Sequence, residues 1–164
     1  MRITKTTAAS VLAAIALLGA GCGSDDDDGS SAGGSADTAL AKAELAKQAN
    51  AICRKFNARI KALPAPKTEK GLPAYFDKAL PITQEAGREL KALEPADDVK
   101  ATWDGLLKDY DTLVATTAKA TAALKAKKQK EYDEIRGQIA LLNGKSNQKL
   151  DAFGAVDCGS KADA

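Results

Sequence analysis

The chain has 164 residues, with 24 lysines and arginines against 22 aspartates and glutamates and no histidine. The absence of histidine excludes Ser-His and Cys-His nucleophilic dyads, zinc sites with histidine ligands and histidine-ligated haem. It also excludes the Glu-x-x-His di-metal bundles, and the sequence contains neither of the common glycine-rich phosphate loops.

The first 21 residues have the three parts of an export signal. Residues 1–7 are basic, residues 8–18 are apolar apart from one serine, and residues 19–21 are small. This order is typical of a secretory signal peptide. The apolar run is shorter than the ~20 residues that a permanent membrane-spanning helix needs. We therefore predict that residues 1–21 are a signal peptide.

A cysteine, Cys22, follows the small residues of this signal. The segment Leu18-Gly19-Ala20-Gly21-Cys22 resembles the bacterial lipobox, in which the cysteine receives a diacylglycerol thioether and becomes the first residue of the mature chain. The resemblance implies a lipid-anchored protein on the extracytoplasmic face of the cell membrane, attached through Cys22. A cleaved signal peptide followed by an incidental cysteine is the alternative.

Residues 22–36 have the composition of a flexible tether. Four consecutive aspartates, Asp25 to Asp28, are followed mostly by Gly, Ser and Ala. Such a segment cannot bury enough apolar surface to fold, and it behaves as a spacer. The aspartates lack the ligand spacing and the bidentate Glu of an EF-hand, so we predict no metal site. Their charge should be repelled by anionic lipid, which would hold the following domain away from the membrane.

Residues 37–164 are long enough for one domain. The chain after Asp37 carries 22 basic and 17 acidic residues, a net charge of +5. It also contains two cysteines, Cys53 and Cys158, and an extracytoplasmic compartment permits disulfides. We predict that these two cysteines are bonded, which would stabilise the fold by ~4–5 kcal/mol in the chain-entropy model. Two buried free thiols are the alternative.

Four helices are predicted in this domain, because its apolar residues recur in alternating steps of three and four. Pro64, Pro66 and Pro95 end the first two helices, and a turn is expected near residues 127–129, where the apolar stripe slips in phase. Pro81 predicts a kink in the second helix or a later start of it. Short connections favour an all-α, up-down-up-down four-helix bundle. The predicted helices cover residues 45–63, 72–93, 99–124 and 132–153.

Two asparagines share one stripe of the first helix with a cysteine. After Gly154 the chain can fold back and bring Cys158 to Cys53, beside Asn50 and Asn57. The two amides are then potential hydrogen-bond partners for the returning backbone. Solvated asparagines on the side of a helix are the alternative.

Several short segments together resemble a group of small bacterial lipoproteins. They are the cysteine anchor with its polar tether, Ala49-Asn50-Ala51-Ile52-Cys53, Leu93-Glu94-Pro95 and Cys158-Gly159. The resemblance covers nearly the whole chain and implies a lipid-anchored helical bundle with one cysteine pair. No activity is assigned to that group, so it implies no functional residues.

Two carboxylate pairs, Glu131 with Glu134 and Glu85 with Glu89, lie on single helix faces and were considered for acid–base chemistry. Both pairs lie among lysines on polar faces, and solvent-facing carboxylates are poor general acids near neutrality. We therefore predict no catalytic residues and no cofactor.

A ligand pocket between the helices would need polar residues on the apolar stripes. Thr83, Thr117 and Ser146 are such residues, but they fall at different heights, and each hydroxyl can bond to its own helix. Aromatic residues could instead line a cleft, although aromatics at helical spacing are more often part of the core. These aromatic residues are Tyr75, Trp103, Tyr110 and Tyr132.

Lysines gather at one end of the predicted bundle, in the loop after the first helix and in the turn after the third. This end is opposite the tether, and the other end carries Glu94, Asp97 and Asp98. The lysines are candidates for binding an anionic partner, or they simply complement helix dipoles and favour solubility. The candidate lysines are Lys61, Lys67, Lys70, Lys125, Lys127, Lys128 and Lys130.

Taken together, these features predict a non-catalytic binding or envelope-organising module that contacts anionic cell-wall material. A small-ligand receptor with a pocket between helices and a scaffold that recognises one envelope protein are the alternatives. Nucleic acid is disfavoured, because the protein is predicted to be exported and has few exposed aromatics for base stacking.

Overall fold

The structure, a computed structural model, describes residues 39–162. The predicted signal peptide, Cys22 and the tether lie outside the described residues. The described part is all-α, which confirms the predicted fold class. The described residues belong to one compact unit, Asp37–Ala164. The helices are α1 (Lys42–Lys61), α2 (Leu72–Lys91), α3 (Asp97–Lys125) and α4 (Gln129–Phe153), and a 3-10 turn, Glu69–Gly71, precedes α2.

The helix boundaries follow from local chemistry. Pro73 lies in the first turn of α2, where its missing N–H costs nothing. Gly154 ends α4 with a φ of 103°, a left-handed conformation that favours glycine. Because α2 begins at Leu72, Pro81 lies inside the helix, and the alternative of a later start is wrong. The hydroxyl of Thr83, two residues later, donates to the carbonyl of Leu80 at 2.8 Å.

Ion pairs connect consecutive helices and show their directions. Between α1 and α2, Lys55 pairs with Glu89 and Arg59 with Glu85, so the residue number rises on one helix as it falls on the other. Helices α1 and α2 are therefore antiparallel, and the two pairs between α2 and α3 show the same for those helices. Exposed pairs of this kind contribute at most ~1 kcal/mol each. The remaining pairs are Lys91–Asp111 and Lys125–Asp77 between α2 and α3, and Lys149–Asp109 between α3 and α4.

The core has two hydrophobic clusters, one near each end of the bundle. The larger includes Leu45, Trp103 and Phe153, and the Trp103 and Phe153 rings are 5.6 Å apart. The smaller is formed by Ala120, Ala123 and Tyr132. Both clusters lie within Asp37–Ala164, as expected of a domain that folds independently.

The first described residues are tied to the connection between α2 and α3. The backbone N–H of Leu40 donates to the Glu94 carbonyl at 2.7 Å, and the N–H of Ala96 donates to the Leu40 carbonyl at 2.9 Å. The chain therefore enters the bundle at the end opposite the α3–α4 turn. The sequence pattern gave no sign of this pairing.

The C-terminal segment folds back onto α1, as predicted. The Cα atoms of Cys53 and Cys158 are 5.1 Å apart, and their sulfur atoms are at disulfide distance. Asn50 donates to the Gly154 carbonyl at 2.9 Å and accepts from the N–H of Asp157 at 2.8 Å. Asn57 donates to the Asp157 carbonyl at 2.9 Å. The prediction that these amides bind the returning backbone is confirmed.

Tyr110 connects α3 to α2 through its hydroxyl, which donates to the Thr83 carbonyl at 2.7 Å. Burial, with a smaller contribution from the charge of Asp111, raises the pKa of Tyr110 to about 12. The folded state thus favours the neutral phenol. This contribution to stability is complete below the unfolded pKa of ~10. It is lost as the pH rises from there through about 12.

We expect one tyrosine to ionise late in an absorbance titration of the folded protein, near pH 12. In Tyr110→Phe this late step should disappear, and the free energy of unfolding should fall by ~1 kcal/mol through loss of the hydrogen bond. A late step that persists in the variant would contradict the assignment.

Candidate functional site

The end of the bundle where α3 turns into α4 is basic. The α3–α4 turn contains Lys127, which has a positive φ of 58°. The loop before α2 comes to the same end, because Lys70 lines one recess with Lys125 and Lys127. We call this end the basic pole. It contains six of the seven predicted lysines, all of them exposed: Lys67, Lys70, Lys125, Lys127, Lys128 and Lys130.

Three of these lysines line one recess of about 420 Å³. Lys70 comes from the 3-10 turn before α2, Lys125 from the last turn of α3, and Lys127 from the α3–α4 turn. Three chain segments thus converge on one opening. The recess also has two apolar and two polar lining residues: Pro73, Leu124, Glu69 and Gln129.

The lysines of the basic pole differ in whether they form ion pairs. Lys125 pairs with Asp77 at 2.6 Å, and Lys128 pairs with Glu131 at 3.0 Å. The other four lysines of the pole have no ion-pair partner among the described residues. The unpaired lysines outnumber Glu69 and Glu134, the described glutamates of the pole that are likewise unpaired, so the pole has a net positive charge.

Helix dipoles do not account for this charge. Lys70 lies two residues before α2, and Lys130 lies in the first turn of α4, so both are near positive helix ends. A cation there is unfavourable by ~0.3–1 kcal/mol. Neither helix has a side-chain N-cap hydrogen bond, and α2 has no acidic residue in its first turn. Of the predicted lysines, only Lys61 and Lys125 lie in the last turn of a helix, where they complement its dipole.

A second, shallower recess of about 510 Å³ adjoins the first and shares Gln129 with it. It is lined by Lys128, Lys130 and two glutamates, Glu131 and Glu134. These glutamates are one of the carboxylate pairs considered for acid–base chemistry, and both are exposed. In the other pair, each glutamate bridges to α1: Glu85 to Arg59 and Glu89 to Lys55.

The structure does not bring Lys61 to the basic pole, so this part of the prediction was wrong. Arg59 pairs with Glu85, about four helical turns after the start of α2 at Leu72. The end of α1 is consequently ~15–20 Å from the pole along the bundle axis. The physical reason is that α1, with 20 residues, is shorter than α3, with 29, and ends before the pole. The loop of residues 62–68 spans the distance from the end of α1 to the pole.

The polar residues on the apolar stripes bond to their own helices. Thr83 donates to Leu80, and Thr117 donates to Leu113 at 2.9 Å. Thr121, which the sequence reasoning missed, is buried and donates to Thr117 at 2.9 Å. Ser146 is buried as well. The threonines thus behave as helix residues with satisfied hydroxyls.

The four aromatic residues belong mainly to the core. Trp103 and Tyr132 are 2% and 5% exposed. Tyr110 is half-buried against α2, and Tyr75 meets the ring of Phe76 edge-on at 5.8 Å. The core interpretation of these residues is supported, and they do not form a common cleft wall in any recess that we find in the described part.

Two further observations concern residues 39–162 alone. None of their helices is long and apolar enough to cross a membrane. Within this range, no group of three or more His, Cys, Asp or Glu side chains is arranged to hold a metal ion.

In comparisons with known proteins, the chain matches no protein-family model, no curated protein and no solved structure. The resemblance to small bacterial lipoproteins therefore rests on the sequence segments alone.

Proposed function

We propose that this protein is an exported lipoprotein, anchored to the cell membrane through Cys22, whose basic pole binds anionic cell-wall polymer without catalysing a reaction. The observation that carries this proposal is the recess in which Lys70, Lys125 and Lys127 converge. Four lysines of the pole have no ion-pair partner in the described part of the chain, so their charge is available to a ligand.

The form of the pole favours an anionic group in the first recess, where three lysines stand against one glutamate. The second recess shares Gln129 with the first but contains two glutamates beside its two lysines, so it suits neutral, hydroxyl-bearing parts of the same ligand. Lysine is a flexible point charge and suits a ligand held by charge more than by fixed geometry. Glu69 and Gln129 can accept hydrogen bonds from hydroxyl groups of the same polymer.

The position of the pole also agrees with an anchored domain. Leu40 pairs with the α2–α3 connection, and the basic pole lies at the other end of α3. A helix of 29 residues spans ~43 Å. The chain thus enters this unit at the end opposite the basic pole, so the entering residues leave the pole open to wall material.

Binding of the Asp37–Ala164 unit to purified cell-wall fractions tests this proposal. We expect binding that weakens as salt is added, because exposed charges are screened. A triple variant should bind at least tenfold more weakly than the wild type at low salt. It combines Lys70→Gln, Lys127→Gln and Lys130→Gln. Sedimentation of the protein with the wall fraction measures both effects.

A matched variant removes the same charge elsewhere. Lys108, Lys119 and Lys145 are exposed, have no ion-pair partner in residues 39–162 and lie outside both recesses. Their triple change to Gln should retain most of the binding. Equal losses in the two triple variants would show that only net charge matters. Absence of binding at low salt would overturn the proposal.

A further inference from the structure

A separate groove lies between α3 and α4, near the end of the bundle where the chain enters. It has a volume of about 340 Å³ and a mostly apolar lining. Leu106 and Phe153, each only 5% exposed, form its floor. The remaining lining residues are Lys42, Ala101, Thr102, Gly105, Lys149 and Ala152.

The groove exists because small residues separate the two helices at this level. A Cβ atom built on Gly105 would meet nothing within 4 Å. Helix packing thus does not require a glycine at this position, although glycine in a helix interior is unfavourable relative to alanine. Ala101, one turn earlier on α3, and Ala152 on α4 are also exposed, so small side chains flank Leu106 and Phe153 on the outer side.

One positive charge is available at the rim. The ammonium group of Lys42 lies 5.4 Å from the centre of the Phe153 ring and has no carboxylate partner among residues 39–162. Its one polar contact is a long hydrogen bond, 3.4 Å, to the Ala152 carbonyl. Lys149, by contrast, is paired with Asp109.

We propose that this groove binds a single-chain anionic amphiphile, of the fatty-carboxylate class. Its carboxylate would pair with Lys42, and its alkyl chain would lie over Leu106 and Phe153. An apolar floor beneath one unpaired cation is complementary to such a molecule in both polarity and charge. The groove is distinct from the basic pole, whose recess contains three lysines.

Trp103 provides the measurement. It is the single tryptophan of the chain, and its ring contacts Phe153 on the groove floor. We expect dodecanoate, titrated into the oxidised Asp37–Ala164 unit below its micelle concentration, to change the Trp103 emission saturably. Butanoate, which has the same charge but a short chain, should give no change at the same concentrations.

Two leucine variants give a matched pair. Gly105→Leu fills the groove and should weaken dodecanoate binding at least tenfold. Gly137→Leu adds the same side chain at another open helical position, on α4 and outside the groove, and should bind as the wild type does. Ala101→Leu fills the same groove from one turn away and replaces Gly105→Leu if that variant does not melt cooperatively.

Lys42→Gln should weaken dodecanoate binding up to ~fivefold, as loss of an exposed ion pair does, and leave binding of dodecanol unchanged.

The proposal is overturned if dodecanoate gives no saturable change, or if the variants that fill the groove bind it as the wild type does. A change in Trp103 emission with phosphatidylglycerol vesicles but not with dodecanoate would also overturn it, because the face would then contact a bilayer and not a single amphiphile.

Discussion

Replacing Cys53 and Cys158 together by alanine is expected to lower the free energy of unfolding by ~3–5 kcal/mol. The two residues are 105 positions apart, so the bridge constrains most of the unfolded chain. The bridge also holds the C-terminal segment over α1, where Ala155 is completely buried. For a domain of this size, the melting temperature should fall by roughly 15 °C.

Thermal unfolding followed by circular dichroism checks this expectation. Wild type under reducing conditions should melt close to the double variant, whereas the reductant should leave the double variant unchanged. The helical content at low temperature should be retained, because Asn50 and Asn57 still bind the backbone of the C-terminal segment. A double variant that melts at the wild-type temperature would show that the bridge contributes little.

The features that the sequence predicted well depend on local or pairwise information. Helix positions follow from the spacing of apolar residues and from prolines and glycines at their ends. The apolar stripe of the second helix, for example, starts at Leu72, where α2 begins, although Pro81 left a later start open. The disulfide pairing follows from there being two cysteines once Cys22 is assigned to the lipid.

The position of Lys61 depends on how far α1 is shifted along α2. Apolar periodicity fixes which face of a helix is buried, but not how far one helix is shifted along its neighbour. That shift is set by tertiary pairings such as Lys55–Glu89 and Arg59–Glu85. The pairing of Leu40 with the α2–α3 connection has the same origin.

The candidate sites were predictable only in part. Lysines near two connections indicated the basic pole, but the pairing of Lys125 on α3 with Asp77 on α2 required the structure. The groove between α3 and α4 left one weak signal in the sequence. This signal is Gly105, a glycine inside a helix that is otherwise rich in alanine and leucine.

Gly87→Ala is expected to destabilise the protein by ~1–3 kcal/mol, as overpacking of a core contact does. Gly87 is buried on α2, and a Cβ atom there would lie 2.9 Å from Cε1 of Tyr110. The Tyr110 ring cannot easily move aside, because its hydroxyl is bonded to the Thr83 carbonyl. Alanine is more favourable than glycine in a helix by ~1 kcal/mol. The steric cost of the contact with Tyr110 must exceed this gain for Gly87→Ala to be less stable than the wild type.

Gly144→Ala on α4 separates the two effects, because a Cβ atom at that position meets nothing within 4 Å. This variant should gain stability, by up to ~1 kcal/mol, and denaturant unfolding of both variants measures the contrast. In a Tyr110→Leu background the ring is absent, so Gly87→Ala should no longer be destabilising and should approach the behaviour of Gly144→Ala. If Gly87→Ala stabilises the wild type as much as Gly144→Ala does, then α2 and α3 do not approach each other at Tyr110 as closely as the structure shows.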